Sequence, residues 1–327
     1  MTRTLVIVTV ILLAGAPRLR AEDAKVDGTV ATELLVEGPR KGIFDNEFKI
    51  GVKTKRSHGV RGEGEIRGRS HNPEVKLRKA VIDYAGDDGF GVRIGIDKKV
   101  LGTEYEYGDR LRLSPERTMI YRKLETLAYV GHEMAARLRW ENVAGWDLAA
   151  SLGYSDSRNT NMMGSVQRSE CLGTMLCGVW GLSQLNRIEG TNQTGWATVW
   201  SLWNAPGETD PATYEVVVGK DAFETFYARF FGHEADVHFL GARGSWGLLG
   251  RGVDDDRLQP FVLLGVLWPD AKKSAVNALS GGFGIKFVLD RFRIAAVVEA
   301  VAANSRVDLK ERSYENSRAA LQGAVDF

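Results

Sequence analysis

Apolar residues in this chain recur at every second position, in one run after another. Phe90, Val92, Ile94 and Ile96 alternate with Gly91, Arg93, Gly95 and Asp97. Phe48, Ile50 and Val52 alternate with Lys49, Gly51 and Lys53, and Trp146, Leu148, Ala150, Leu152 and Tyr154 with Asp147, Ala149, Ser151 and Gly153. A strand turns successive side chains to opposite faces, so a period of two means a strand with one apolar face and one polar face. The same pattern predicts strands over 105–113, 196–203, 214–219, 223–231, 237–246, 261–268, 282–289 and 291–301. Turn residues separate them, among them Gly86-Asp87-Asp88-Gly89, Asn204-Ala205-Pro206-Gly207 and Asp290-Arg291. Glycine is abundant, 37 of 327 residues, while proline numbers 8. That balance favours bent, ordered β-structure over helix.

Two architectures give strands of this kind. A soluble sandwich buries the apolar face between two sheets. A membrane barrel turns it to lipid and keeps a polar lumen. Arg3, an apolar run from Leu5 to Leu13, and Ala14-Gly15-Ala16 resemble a secretory signal peptide, with cleavage expected after Ala21. Residues 1–21 are thus read as a signal peptide and 22–42 as a polar, irregular lead-in, leaving 43–327 for the fold. No later stretch reads as a transmembrane helix: 287–303 is interrupted by Asp290, Arg291, Arg293 and Glu299. Phe327 closes an alternating run with Val325, Gly323, Leu321 and Ala319, a pattern like the assembly signal of bacterial outer-membrane barrels. The expected fold is therefore all-β, an antiparallel transmembrane β-barrel. A tilted spanning strand takes about 9–11 residues, which with turns and loops supports about 12–16 strands. A barrel of that size encloses an aqueous lumen.

The stretch from Lys76 to Trp140 is more specific. It contains Ile82-Asp83-Tyr84, then Arg93-Ile94-Gly95, then Lys98-Lys99-Val100-Leu101-Gly102-Thr103-Glu104-Tyr105. Glu116-Arg117-Thr118 and Gly131-His132-Glu133 follow. This order of motifs resembles the phosphate-selective porins (the porin O and P type), with His132 standing where that family carries Arg. The resemblance implies a trimeric, water-filled diffusion channel in the outer membrane. Phosphate selectivity in that family rests on loop arginines and a lysine ladder, which are not matched here residue by residue.

Charge gives an independent reading. The net charge is only +1, which offers no support for nucleic-acid binding. Yet basic residues outnumber acidic ones between Arg40 and Lys79, and many sit opposite apolar positions. A charge facing lipid at the bilayer midplane costs about 2–4 kcal/mol, so these side chains belong in the lumen. The pore-lining candidates are Lys49, Lys53, Arg67, Arg93, Arg110, Arg112, Arg137 and Arg139. Rings of Arg or Lys favour anions, while Glu104, Glu106 and Asp109 are placed to offset them. Trp196, Trp200 and Trp203, with Tyr105 and Tyr107, suit interfacial girdles.

Other constellations carry little chemistry. His233 and His238 are five apart, which puts them on opposite faces of a strand, and no zinc motif results. Gly62-Glu63-Gly64 and Gly281-Gly282-Phe283-Gly284 lack the helix and Lys of a phosphate loop. No catalytic residue, metal or cofactor is called for. Cys171 and Cys177 lie too far apart to bond along one straight strand, but across a loop they form a candidate disulfide. The leading expectation is an outer-membrane porin passing small hydrophilic solutes or anions. Its expected partners are membrane lipid, the barrel-assembly machinery and two further copies of itself. The rivals are a barrel without transport and a soluble periplasmic β-sandwich that binds or hydrolyses a ligand.

Overall fold

The computed structural model describes residues 24–37, 42–71, 73–99, 101–102, 114–154, 160–172, 176–189, 192–203, 212–223, 235–247, 257–268, 278–303 and 316–327. Sixteen strands follow in chain order. They are β1 (Ala24–Glu37), β2 (Ile43–Thr54), β3 (Val60–Arg69), β4 (Glu74–Ala85), β5 (Phe90–Lys98), β6 (His132–Val143), β7 (Trp146–Tyr154) and β8 (Thr160–Leu172). The second half comprises β9 (Leu176–Glu189), β10 (Asn192–Trp203), β11 (Ala212–Phe223), β12 (Ala235–Gly247), β13 (Arg257–Trp268), β14 (Ala278–Leu289), β15 (Phe292–Ala303) and β16 (Arg318–Asp326). Each pairs antiparallel with its sequence neighbours, and β1 pairs with β16, so the sheet closes into a barrel with no free edge.

Strand alternation explains why this sheet is a wall rather than half of a sandwich. Val26, Val30 and Leu34 on β1, Phe44, Phe48 and Ile50 on β2, and Ile94 on β5 point outward and are exposed. So do Leu152 on β7, Leu264 on β13, Phe283 on β14, Val298 on β15 and Leu321 on β16. Phe44 is 60% and Phe283 67% exposed, values that only an apolar solvent tolerates around a whole circumference. The belt therefore faces lipid, and the barrel is a transmembrane one. No described helix is long and apolar enough to cross a membrane.

The expected strand number holds, at the top of its range. One boundary needs correction. Residues 24–37, read above as part of a lead-in, are β1, a full member of the wall. Its outward positions alternate as elsewhere, but Gly28 and Thr32 fall among them and Ala31 and Leu35 on the inner face, which blurs the contrast. The missing side chain of Gly28 has a role at the closing seam. A Cβ there would overlap the ring of Phe327, whose backbone N–H donates to the Gly28 carbonyl at 2.9 Å and whose carbonyl accepts from the Gly28 N–H at 3.0 Å.

The strand expected over 105–113 and residues 224–231 of the strand expected over 223–231 lie outside the described residues, and β5 pairs directly with β6. Residues 1–21, Tyr105 and Tyr107 also lie outside the described residues. Trp200 lies exposed on the outer face of β10, with Trp196 at the same parity.

Candidate functional site

The connection between β5 and β6, residues 99–131, is far longer than a turn, and its described residues, 99, 101–102 and 114–131, pack inside the barrel. Its one described helix, α1 (Met119–Thr126), contains Met, Arg, Lys, Leu and Glu, all good helix formers. Ile120, Tyr121, Leu124 and Leu127 recur at helical spacing and form one apolar face. The helix ends where Ala128 adopts a positive φ of 55°, with the Tyr129 N–H donating back to the Leu124 carbonyl at 2.9 Å.

The apolar face has a counterpart on the wall. Met163 of β8, Leu185 of β9, Ala197 and Val199 of β10 and Val217 of β11 occupy inner-face positions that would otherwise meet water. With Leu101, Leu127, Tyr129 and Val130 they enclose Ile120, Tyr121 and Leu124. Met119 packs separately on Leu267 and Ala278. Burying one such aliphatic side chain contributes about 1.5–3 kcal/mol, so the helix is firmly seated on the β8–β11 side. Arg187 of β9 donates to the Leu127 carbonyl and lies over the Tyr129 ring, 4.4 Å from its centroid. The lumen is thus not uniformly polar, as the strand pattern alone predicts; it has an apolar patch that the loop covers.

A second anchor is ionic and lies across the lumen. Glu299 of β15 accepts from Arg122 of α1 at 3.0 Å and from Arg318 of β16 at 2.9 Å. Arg318 also reaches Glu116 at 3.1 Å and donates to the Arg117 carbonyl. The side chains of Arg318, Glu299 and Arg122 are 0%, 1% and 7% exposed. Glu37 of β1 stands 3.9 Å from Arg122. Burial, and next the adjacent Arg318, push the Arg122 guanidinium down to about 10, while Glu299, Glu37 and Glu116 pull the other way. It therefore stays charged at neutral pH. The loop is held at both ends of its crossing, by oil on one wall and by charge on the other.

The described part of the loop packs on β8–β11 and on β15–β16, and the inner surface of β2–β6 is rich in basic residues. The lower tier, toward the turns, centres on two carboxylates. Asp83 of β4, fully buried, is approached by Arg56 at 2.6 Å, Arg61 at 3.2 Å, Arg139 at 3.3 Å and Arg93 at 3.9 Å. Glu63 of β3 is approached by Arg61 at 2.6 Å, Lys79 at 2.8 Å and Arg93 at 3.1 Å. Asp97 adds a third carboxylate, 2.5 Å from Arg93. Glu141 stands 3.7 Å from Arg139, so five cations share four anions.

The upper tier, nearer the loop, is also rich in cations, with Arg69 3.7 Å from Asp45. Glu47 of β2 holds Lys49 at 3.1 Å, Arg69 at 2.9 Å and Arg67. Arg78 enters this tier through a bulge. Glu65 pairs with Lys79 and Ile66 with Leu77, which leaves Arg78 as an extra residue in β4. Bulges re-aim side chains in this way. Arg78 Nη1 lies 3.0 Å from His132 Nδ1 at the start of β6, and Arg78 interacts electrostatically with Arg67, Arg69, Glu47 and Arg117. Arg117 and Glu116 bring the loop to the same place: Arg117 acts on Arg78 and His132, and Glu116 on Arg69 and on Glu33 of β1. The passage between residues 116–117 and the upper tier is the candidate constriction.

Among the sequence-predicted residues, Lys49, Lys53, Arg67, Arg93, Arg137 and Arg139 all occupy inner-face positions. Lys53 is half exposed and 3.4 Å from Asp27, and Arg137 donates to the Lys98 carbonyl at 2.8 Å. Arg110 and Arg112 lie outside the described residues. Sequence reasoning missed Arg78, Arg61, Arg122, Arg318 and Glu299. Arg78 was hidden because the bulge breaks the two-residue count. Arg122 and Arg318 needed the tertiary contact.

No protein-family model and no curated protein matches the chain. Solved structures do. OmpF of Salmonella typhi, in complex with daunomycin, superposes with a TM-score of 0.62 at 12% identity, covering 93% of this chain and 97% of that one. The trimer form of in-vitro folded OmpT, an outer membrane protein of Vibrio cholerae, gives 0.60 at 10%, covering 93% and 99%. A mutant of the Rh. blastica porin gives 0.51 at 10%, covering 93% and 100%. The fold is the outer-membrane porin barrel. At these identities the likeness is one of fold. The stretch that resembles the phosphate-selective porins corresponds to β4, β5, the infolded loop and the opening of β6, and no family model supports that closer assignment.

Proposed function

We propose that this protein is an outer-membrane porin, a water-filled channel through which small hydrophilic solutes diffuse, with a preference for anions. The observation that carries the reading is the infolded loop, whose described residues cover the apolar side of the lumen, together with the basic inner face of β2–β6. In the lower tier cations exceed carboxylates, and in the upper tier Arg78 has a histidine rather than a carboxylate as its hydrogen-bond partner. Fixed positive charge along a narrow aqueous path raises the local concentration of anions. No chemical step is involved. The mechanism is passage past residues 116–117 on one side and Arg67, Arg69 and Arg78 on the other.

Within this reading the side that carries the 99–131 connection lies toward the exterior and the side with the tight turns after β6 and β14 toward the periplasm. Membrane lipid covers the apolar belt, and the barrel-assembly machinery inserts the chain. Homotrimerisation is part of the proposal, supported by the trimer form of one structural neighbour. Phosphate is the anion suggested by the resemblance over Lys76 to Trp140.

Recording from planar bilayers tests the reading. Stepwise ohmic currents are expected, and a KCl gradient should give a reversal potential of anion-selective sign. Cation selectivity would reject the anion preference, and a folded, inserted barrel without conductance would reject the channel.

A further inference from the structure

We propose that Cys171 and Cys177 form an intrachain disulfide that ties off the turn end of the β8–β9 hairpin. The chain contains two cysteines, so no other intrachain pairing exists. The register of β8 against β9 runs without a shift from Thr160↔Ile188 through Met163↔Leu185 to Cys171↔Cys177 and Leu172↔Leu176. The two cysteines are therefore direct cross-strand partners. Opposed residues of an antiparallel pair have Cα atoms about 4.5 or 5.5 Å apart, according to the pair type. A disulfide accepts about 4.4–6.8 Å between Cα atoms, a range that holds both values. The sequence alone left this open; the hairpin register removes the obstacle that a single strand would impose.

Parity supports access by a soluble oxidant. Asn161 and Met163 on β8 and Leu185 on β9 are buried inner-face residues. Steps of two from them reach positions 171 and 177, which share the register parity of these inner-face residues. The bond would form by thiol–disulfide exchange. One cysteine thiolate attacks an oxidised dithiol carrier to give a mixed disulfide. The second thiolate then displaces the carrier thiol. The two cysteines lose two protons and two electrons, and the carrier is reduced to its dithiol.

This inference rests on the outer-membrane reading, because the turn end must face an oxidising compartment. Its consequence reaches the constriction, since the same hairpin supplies Met163, Leu185 and Arg187 to the loop.

The test uses the full chain exported by a host with an oxidising periplasm, fractionated, denatured and alkylated before and after reduction. The expected result is no alkylation without reductant and two alkylations after it, with the unreduced mass lower by two hydrogens. In Cys171→Ser the remaining thiol should alkylate without reductant. Two reactive thiols in the unreduced chain would overturn the proposal, as would disulfide-linked dimers in place of the intrachain bond. Fractionation separates the failures. Two free thiols in an outer-membrane fraction refute the disulfide alone. Recovery in the soluble fraction refutes the membrane reading, and alkylation of that same sample still decides the bond.

Discussion

Replacing Glu299 by Gln removes the carboxylate that holds the infolded loop to β15 and β16 while keeping its shape. Two guanidinium groups, Arg122 and Arg318, would then sit buried without their shared anion. Removing one partner of a buried ion pair costs about 3–5 kcal/mol. The lower end applies, because Arg318 keeps Glu116 at 3.1 Å and Arg122 keeps Glu37 at 3.9 Å. About 3 kcal/mol corresponds to a roughly hundredfold rise in the population of loops detached from this wall. The apolar anchor opposes full release: Ile120, Leu124 and Leu127 each contribute about 1.5–3 kcal/mol of burial. The expected outcome is a barrel that still folds and inserts, with greater open-channel current noise and closure at lower applied voltage. Single-channel recording reads the noise, and the gel shift between heated and unheated samples reads the fold. The triple variant Arg122→Met, Arg318→Met and Glu299→Leu removes every buried charge of the trio and should return the noise toward the parent level. A folded Glu299→Gln channel with unchanged noise and closing voltage would refute the reasoning.

Arg78→Ala should shift the reversal potential toward cations. One charge at ~10 Å in water is worth about 0.4 kcal/mol, or about a two- to fourfold change in anion-to-cation permeability; an unchanged potential would remove Arg78 from the constriction. Gly28→Leu should weaken closure of β1 on β16, because its side chain would enter the space of the Phe327 ring. A loss of about 1–3 kcal/mol is expected in urea titration of the inserted barrel. Ile94→Arg places a charge on the lipid face at mid-strand and should cost about 2–4 kcal/mol in the same titration, whereas an inner-face placement of Ile94 would make it nearly neutral.

The wall was largely legible because its period of two is enforced by lipid outside and water inside. Phe48, Ile50, Val52, Leu152, Leu321 and Val325 follow that rule without exception. β1 escaped notice because Gly28 and Thr32 occupy outward positions and Leu35 an inward one, which dilutes the alternation. α1 was missed for a different reason. Ile120, Tyr121, Leu124 and Leu127 were visible at helical spacing, but nothing local says that a helix belongs inside a barrel. The matching signal lay far away, in inner-face positions such as Leu185, Ala197 and Val199 that are apolar where a water-filled lumen calls for polar residues. Lys49, Lys53, Arg67, Arg93, Arg137 and Arg139 stand at the inner parity that the alternation gave them, while their pairing was not legible. Arg93 reaches Glu63, Asp83 and Asp97 only because register brings β3, β4 and β5 side by side, and register is a property of the closed sheet.

The bulge in β4 has a bearing on how such a channel changes. Arg78 is an insertion relative to β3, accommodated without displacing the pairs on either side. A wall that tolerates one surplus residue can gain or lose a lumenal charge by a change of length alone. Deleting that residue would restore an unbroken ladder and take one cation from beside His132, while leaving every lipid-facing position on its own side. On the proposed reading, a lumenal charge is therefore separable from the architecture of the barrel at a single codon.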